Sequence, residues 1–355
     1  MGAFGCVALI AGEAGARFDD WLFDSIPFFE HPAYEALYFR DESNLRHGRP
    51  DARWKQVRLN NLGMRGPDVS IEPRDGCRRI MFLGASETFG EPSVAGNEYP
   101  ARVAQRASES ECLEVLNTSF PGIAPQSLNM YYAARLHQFR PDTVYIYPST
   151  HFYLSERLPR GDPKPIVPSR LPLHDIPEHA DSRGLFEKSR LLERLRDSAE
   201  TPEFLQRHVN RKRIAELLMS EPDPSVFAAI PAERLELLAA DMRALVDSIR
   251  GSGAEPVLMT HAVRATAPPR AEDKDDLAAM RVYVPRAPEQ ILAEFEYIAA
   301  DVVRGIARET NTRLVDVARE ISGRRDLFID LVHLAPRGHE RVSTLIIEDL
   351  EQSAR

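Results

Sequence analysis

Ser86 stands directly after an apolar run, Ile80-Met81-Phe82-Leu83, which is too short for a helix and suits a buried strand. Gly84 and Ala85 close that run without side-chain bulk, and Thr88 and Gly90 follow the serine. A hydroxyl so placed lies at the carboxyl edge of a sheet, where α/β proteins gather their chemistry. Near the other end of the chain, Asp330 and His333 stand three residues apart, just before an amphipathic pattern that starts at Pro336. Serine is a poor nucleophile until a base takes its proton, and the base needs a third group to fix its tautomer. The spacing allows the carboxylate to hold one ring nitrogen while the other faces Ser86. Each motif alone also fits a plain structural role, as a strand-end serine or as a helix-leading acid with a packing histidine. Together, in this order, they point to nucleophilic catalysis.

Further blocks carry a family likeness. Gly84-Ala85-Ser86, Asn117-Thr118-Ser119-Phe120-Pro121-Gly122, the segment Pro141 to Tyr147, and Asp330 with His333 resemble the motifs of SGNH (GDSL-type) hydrolases. The resemblance runs from about residue 57 to the end of the sequence, with one long insert. The lead-in from Arg58 to Gly66 resembles a bacterial branch whose members often carry an N-terminal membrane anchor and sit among polysaccharide genes. This likeness implies an α/β fold, a doubly wound, flavodoxin-like sheet of five parallel strands in the order 2-1-3-4-5, with a helical insertion. It implies Ser86 as nucleophile, His333 as base, Asp330 as the group that orients it, and no metal or cofactor. The oxyanion would be held by the backbone N–H groups of Ser86 and Gly122. Two positions depart from the family pattern. Ala85 stands where aspartate is usual, and counting from Pro141-Asp142 places His151 where asparagine is usual. A neutral imidazole donates one N–H, so an oxyanion role for His151 survives in principle.

The elements that must position these residues follow from periodicity and punctuation. Besides the first strand, Leu113 to Asn117, Thr143 to Tyr147, Pro256 to Thr260 and Arg313 to Val317 read as strands. Helices are expected over Tyr99 to Ser108, Ser127 to Phe139, Ala232 to Gly251 and Pro288 to Arg308, with a final one from Pro336 to about Glu351. Arg264 to Pro285 reads as charged loop. His261 follows the fourth strand, which places it at the same carboxyl edge as a candidate substrate contact. Residues 57–152 and 232–355 form the hydrolase-like domain in this reading. Residues 1–56 form an aromatic-rich segment packing on it, with stacking on a sugar as the alternative use of its rings. Residues 153–231 are an insert, proline-rich at first, with helices over Lys188 to Asp197 and Pro202 to Met219, placed to act as a lid.

Composition narrows the partners. A formal net charge of -9 gives no electrostatic footprint for nucleic acid. Cys6, Cys77 and Cys112 make neither a disulfide framework nor a zinc spacing, which favours buried or free thiols. The apolar start, Met1 to Gly12, is too short to span a bilayer and lacks a basic leader, so the chain as written is soluble. The family likeness makes it the tail of an anchor, with export or a membrane partner following only if more of that anchor precedes Met1. The expected function is a serine esterase acting on an acyl, in particular acetyl, ester of a small molecule or carbohydrate. The alternatives are an O-acyltransferase using the same triad, a non-catalytic sugar-binding module, and a metal site built from Asp330, His333 and His339. The acyl group, the acceptor and the oligomeric state are not legible.

Overall fold

The computed structural model describes residues 2–24, 26–30, 33–41, 45–107, 112–123, 125–155, 171–173, 176–184, 186–198, 203–220 and 225–353. The chain opens with helix α1 (Gly2–Asp24) and two small antiparallel ribbons, β1 (Tyr38–Arg40) with β2 (Arg46–Gly48), then β3 (Arg53–Trp54) with β4 (Val57–Arg58). The main sheet follows as β5 (Arg78–Gly84), β6 (Leu113–Asn117), β7 (Thr143–Tyr147), β8 (Glu255–Met259) and β9 (Arg313–Val315). All its pairings are parallel and its order is β6-β5-β7-β8-β9. The doubly wound, flavodoxin-like sheet expected from the sequence is therefore the one observed.

Both faces of a parallel sheet are covered by crossover helices, so its strands are continuous apolar runs rather than alternating ones. Ile80, Met81, Phe82 and Leu83 are all fully buried, as are Val144, Tyr145, Ile146 and Tyr147. Each such side chain contributes about 1.5–3 kcal/mol relative to exposure. The crossovers are α3 (Tyr99–Ala107), α4 (Pro125–Ala134), α7 (Ala232–Gly251) and α9 (Glu289–Glu309), and α11 (Pro336–Ser353) closes the fold against α3. The expected helix from Ser127 to Phe139 breaks at Arg135 and finishes as a 3-10 turn over Leu136–Phe139.

Several expectations are corrected. Cys77 and Cys112 form a disulfide rather than free thiols. They immediately precede the register pair Arg78 and Leu113, so the sheet itself brings them together. Residues 264–285 are not all loop, since α8 (Lys274–Met280) lies within them. The fifth strand ends two residues early, because Asp316 accepts from the backbone N–H of Arg319 and starts α10 (Val317–Ile321). The insert's helices are α5 (Arg190–Ser198) and α6 (Glu203–Met219), but α6 buries Ile214 while leaving Val209 exposed. Pro159, Pro163, Pro165 and Pro168 lie outside the described residues.

The apolar start is part of α1, which packs on α5. Glu13 caps that helix, accepting from Ser189 Oγ at 2.8 Å and from the backbone N–H groups of Arg190 and Leu191. Asp20 pairs with Arg190 and Arg194. Among the described residues no helix is long and apolar enough to cross a membrane. The aromatic segment divides. Tyr38 and Phe39 are buried and Tyr34 meets Trp54 edge-on, whereas Phe18, Trp21 and Phe29 are exposed.

Candidate active site

Ser86 opens α2 (Ser86–Phe89), a single turn at the carboxyl end of β5. Gly84 is what permits so abrupt a reversal: a Cβ there would stand 2.0 Å from Thr88 Oγ1. The other end of the turn is pinned by Arg65, which comes from the sequence lead-in and is almost wholly buried. Its guanidinium donates to the carbonyls of Phe89 at 3.0 Å, Gly90 at 2.6 Å and Ser93 at 2.6 Å. A cation at a helix C-terminus satisfies orphan carbonyls and opposes the dipole. Asn117 adds a hydrogen bond from β6 to the carbonyl of Thr88 at 3.1 Å. Ser86 itself is half-buried, and its hydroxyl donates weakly to Glu87 Oε2 at 3.4 Å.

Asp330 and His333 occupy the loop before α11, closed by a bridge between Phe328 and Leu334. Asp330 Oδ1 accepts the backbone N–H groups of Val332 and His333, and Oδ2 accepts Nδ1–H of His333 at 2.7 Å. This fixes the ring and its tautomer. Burial works against ionisation of both groups, but their pairing prevails, lowering the Asp330 pKa and raising that of His333. Nε2 of His333 is buried and has no hydrogen-bond partner. His333 and Glu87, the neighbour of Ser86, each feel the other's charge. Among the described residues no hydrogen bond joins Ser86 to His333, and the hydroxyl is turned to Glu87 instead.

Gly122 lies in the turn after β6, exposed and at φ +76°, a conformation that favours glycine. The same turn is tied to the end of β5 by the Phe120 N–H donating to the Gly84 carbonyl at 3.3 Å. His151 emerges beyond β7, in a 3-10 turn over Thr150–Leu154, and is buried. Burial lowers its pKa against the pull of Glu296 and Glu87, so the ring is neutral. Its Nδ1 stands 3.7 Å from Glu296 Oε1, and neither atom has a hydrogen-bond partner.

His261 comes to the same edge beyond β8 but is fully enclosed. Nδ1 meets Glu296 Oε2 at 2.7 Å and Nε2 meets Glu87 Oε1 at 3.1 Å. A carboxylate only accepts, so both ring nitrogens must carry protons and His261 is an imidazolium. Burial alone would lower its pKa; Glu296 and then Glu87 outweigh that and push it up to about 10. Ser149 Oγ donates to Glu87 Oε2 at 2.8 Å, and Thr150 Oγ1 donates to Glu296. With both nitrogens engaged, direct substrate contact by His261 would require breaking one of these bonds.

Glu87, Glu296 and Arg65 are the residues that sequence reasoning missed. Glu296 had a signal, being an acid on the apolar stripe of α9 formed by Leu292, Ala293, Phe295, Ala299 and Ala300. The metal alternative built on His339 is corrected. His339 Nε2 pairs with Ser93 Oγ at 2.8 Å and Nδ1 accepts the Tyr99 N–H at 3.2 Å. Among the described residues, the group with possible ligand atoms all within 4.8 Å is Glu87, His151 and His261.

No family model matches the chain, and no curated protein matches it. Solved structures with a similar chain path include the acetylxylan esterase Axe2 from Geobacillus stearothermophilus, at 16% identity and a TM-score of 0.43, covering 76% of this chain and 93% of that one. Another is LAE5, an α/β hydrolase from the metagenome of Lake Arreo, Spain, at 13% identity and a TM-score of 0.44, covering 76% and 94%. A GDSL-like lipase from Bacteroides thetaiotaomicron VPI-5482 matches at 9% identity and a TM-score of 0.42, covering 78% and 89%.

Proposed function

We propose that this chain is a serine esterase of the SGNH type. The observation that carries the reading is the state of His333: oriented by Asp330 through side chain and backbone, with Nε2 buried and unpartnered, and within electrostatic reach of Glu87, the neighbour of Ser86. In the reaction, Ser86 turns from Glu87 and its Oγ attacks the ester carbonyl carbon while His333 Nε2 takes the hydroxyl proton. The tetrahedral oxyanion forms near the N–H groups of Ser86 and Gly122, with neutral His151 as a third donor. Collapse breaks the ester C–O bond, and His333 returns the proton to the departing alcohol. Water then repeats the sequence on the acyl-enzyme.

A short acyl ester is the substrate class to test, with acetylated sugars and p-nitrophenyl acetate as probes. Running each with and without a free sugar acceptor separates hydrolysis from transfer. Ser86→Ala abolishes turnover and the serine adduct formed by a fluorophosphonate, with the melting temperature nearly unchanged. His333→Ala lowers kcat by ~10³-fold or more. Turnover that survives Ser86→Ala would end the nucleophile assignment, and a wild-type chain that neither turns over nor labels would leave a binding module.

A further inference from the structure

Glu87 is placed unusually for the residue beside a nucleophile. It is 1% exposed, and its carboxylate takes three bonds: from Ser149 Oγ at 2.8 Å, from His261 Nε2 at 3.1 Å and from Ser86 Oγ at 3.4 Å. Its partner His261 is held from behind by Glu296 on α9, which is itself buried and bonded to Thr150. Four separate elements (α2, the turn beyond β7, the segment beyond β8, and α9) thus converge on one anion–cation–anion bridge. A buried, desolvated carboxylate without such a partner would take up a proton.

We propose that Glu87 is a positioning residue for the Ser86–His333 pair, kept ionised by His261 and Glu296. The proposal rests on the esterase reading above. Two consequences follow from the geometry. At rest the serine hydroxyl is directed to Glu87, so its proton is kept away from His333 until substrate arrives. During reaction the fixed negative charge next to Ser86 stabilises the imidazolium that His333 becomes, adding to the effect of Asp330. Glu87 is a poor base: burial alone would raise its pKa, but the bond to His261 outweighs that and holds it below the usual carboxylate range. The charged and titratable groups that act on His333 are Asp330 from its own loop, Glu87 and Glu91 from around α2, His151 beyond β7 and His339 on α11. Glu87 is the one of these whose carboxylate accepts from the serine hydroxyl, Glu91 meeting Ser86 only through its backbone N–H.

A cation site is the competing use of the same atoms. A divalent ion bound by Glu87, His151 and His261 Nε2 would displace the second proton of His261 and leave Glu296 to orient the ring. The bridge reading is favoured because His261 already reaches one oxygen of each carboxylate at hydrogen-bond distance.

The test is the rate at which a fluorophosphonate labels Ser86 as a function of pH, in the full chain and in Glu87→Gln. The acid limb reports protonation of His333, and removing the charge should move its midpoint down by about half a unit or more. An unmoved midpoint, with the rate lowered equally at every pH, would assign Glu87 to packing alone and overturn the inference. Absence of labelling in the wild-type chain would overturn the esterase reading instead, and histidine-ring NMR then decides separately. In the wild-type chain His261 should stay doubly protonated to above pH 8, and the His333 ring should titrate lower in Glu87→Gln. A neutral His261 below pH 8 overturns the bridge even where the variant fails to fold. One equivalent of zinc retained after dialysis against the metal alone, and lost in His261→Ala, would replace the bridge by a cation site.

Discussion

Two histidines in this molecule are both buried and differ in charge state. His261 is 1% exposed and lies between two carboxylates; His47, 2% exposed, lies between Asp41 and Arg135. His47 Nε2–H donates to Asp41 Oδ2 at 2.8 Å, while Nδ1 accepts from Arg135 and lies beside the Tyr131 hydroxyl, which donates to the Arg46 carbonyl. Burial, with the Arg135 charge behind it, outweighs Asp41 and brings the His47 pKa down to about 4. That ring is a neutral spacer tying the β1–β2 ribbon to α4. The His261 ring is a cation tying α9 to the turn that bears Ser86. Desolvation is common to both, so partner identity decides the outcome. Two acceptors force a second proton, whereas a donor on one side forbids it.

Breaking the bridge should cost most. Glu296→Ala leaves the imidazolium buried with one carboxylate fewer, at about 3–5 kcal/mol, read from urea denaturation at pH 7. Next in size is the alkaline slope. His261 has a folded pKa raised from 6.5 to about 10, so its stabilising contribution is complete below pH 6.5 and is lost as pH rises through about 10. His261→Gln should therefore flatten the stability profile between pH 7 and 10. A slope that persists in that variant would mean the ring is not the cation inferred. The acid side gives the smallest effect and the opposite sign. His47 has a depressed folded pKa, so its contribution is complete above pH 6.5 and is lost as pH falls through about 4. His47→Gln should soften the acid fall without abolishing it. His339, lowered to about 3 mainly by burial, keeps its own share.

The sequence was most legible where the determinants are local. An apolar run ending in Gly84-Ala85-Ser86 specifies a strand and its sharp exit, and three residues suffice to pair Asp330 with His333. The strands and most helices followed from periodicity, and the strand order from the family likeness. What escaped depends on partners distant in the chain. Glu87 looks like an ordinary exposed acid until His261 and Ser149 close on it. Arg65 looks like turn decoration until α2 ends against it. The break at Arg135 was hidden for the same reason, since the residue leaves the helix to reach His47. The spacing has the second ring nitrogen of His333 face Ser86 and is silent on where the hydroxyl points. The structure turns the hydroxyl to Glu87, a competitor one position along that spacing arguments do not weigh.

The link between Cys77 and Cys112 lies at the amino ends of β5 and β6, the far side of the sheet from Ser86. Such a cross-link endures where thiols are not continually reduced, outside the glutathione-buffered interior of a cell. Its oxidation state in freshly harvested material, read as a two-proton difference in intact mass, therefore reports the surroundings in which the chain matured.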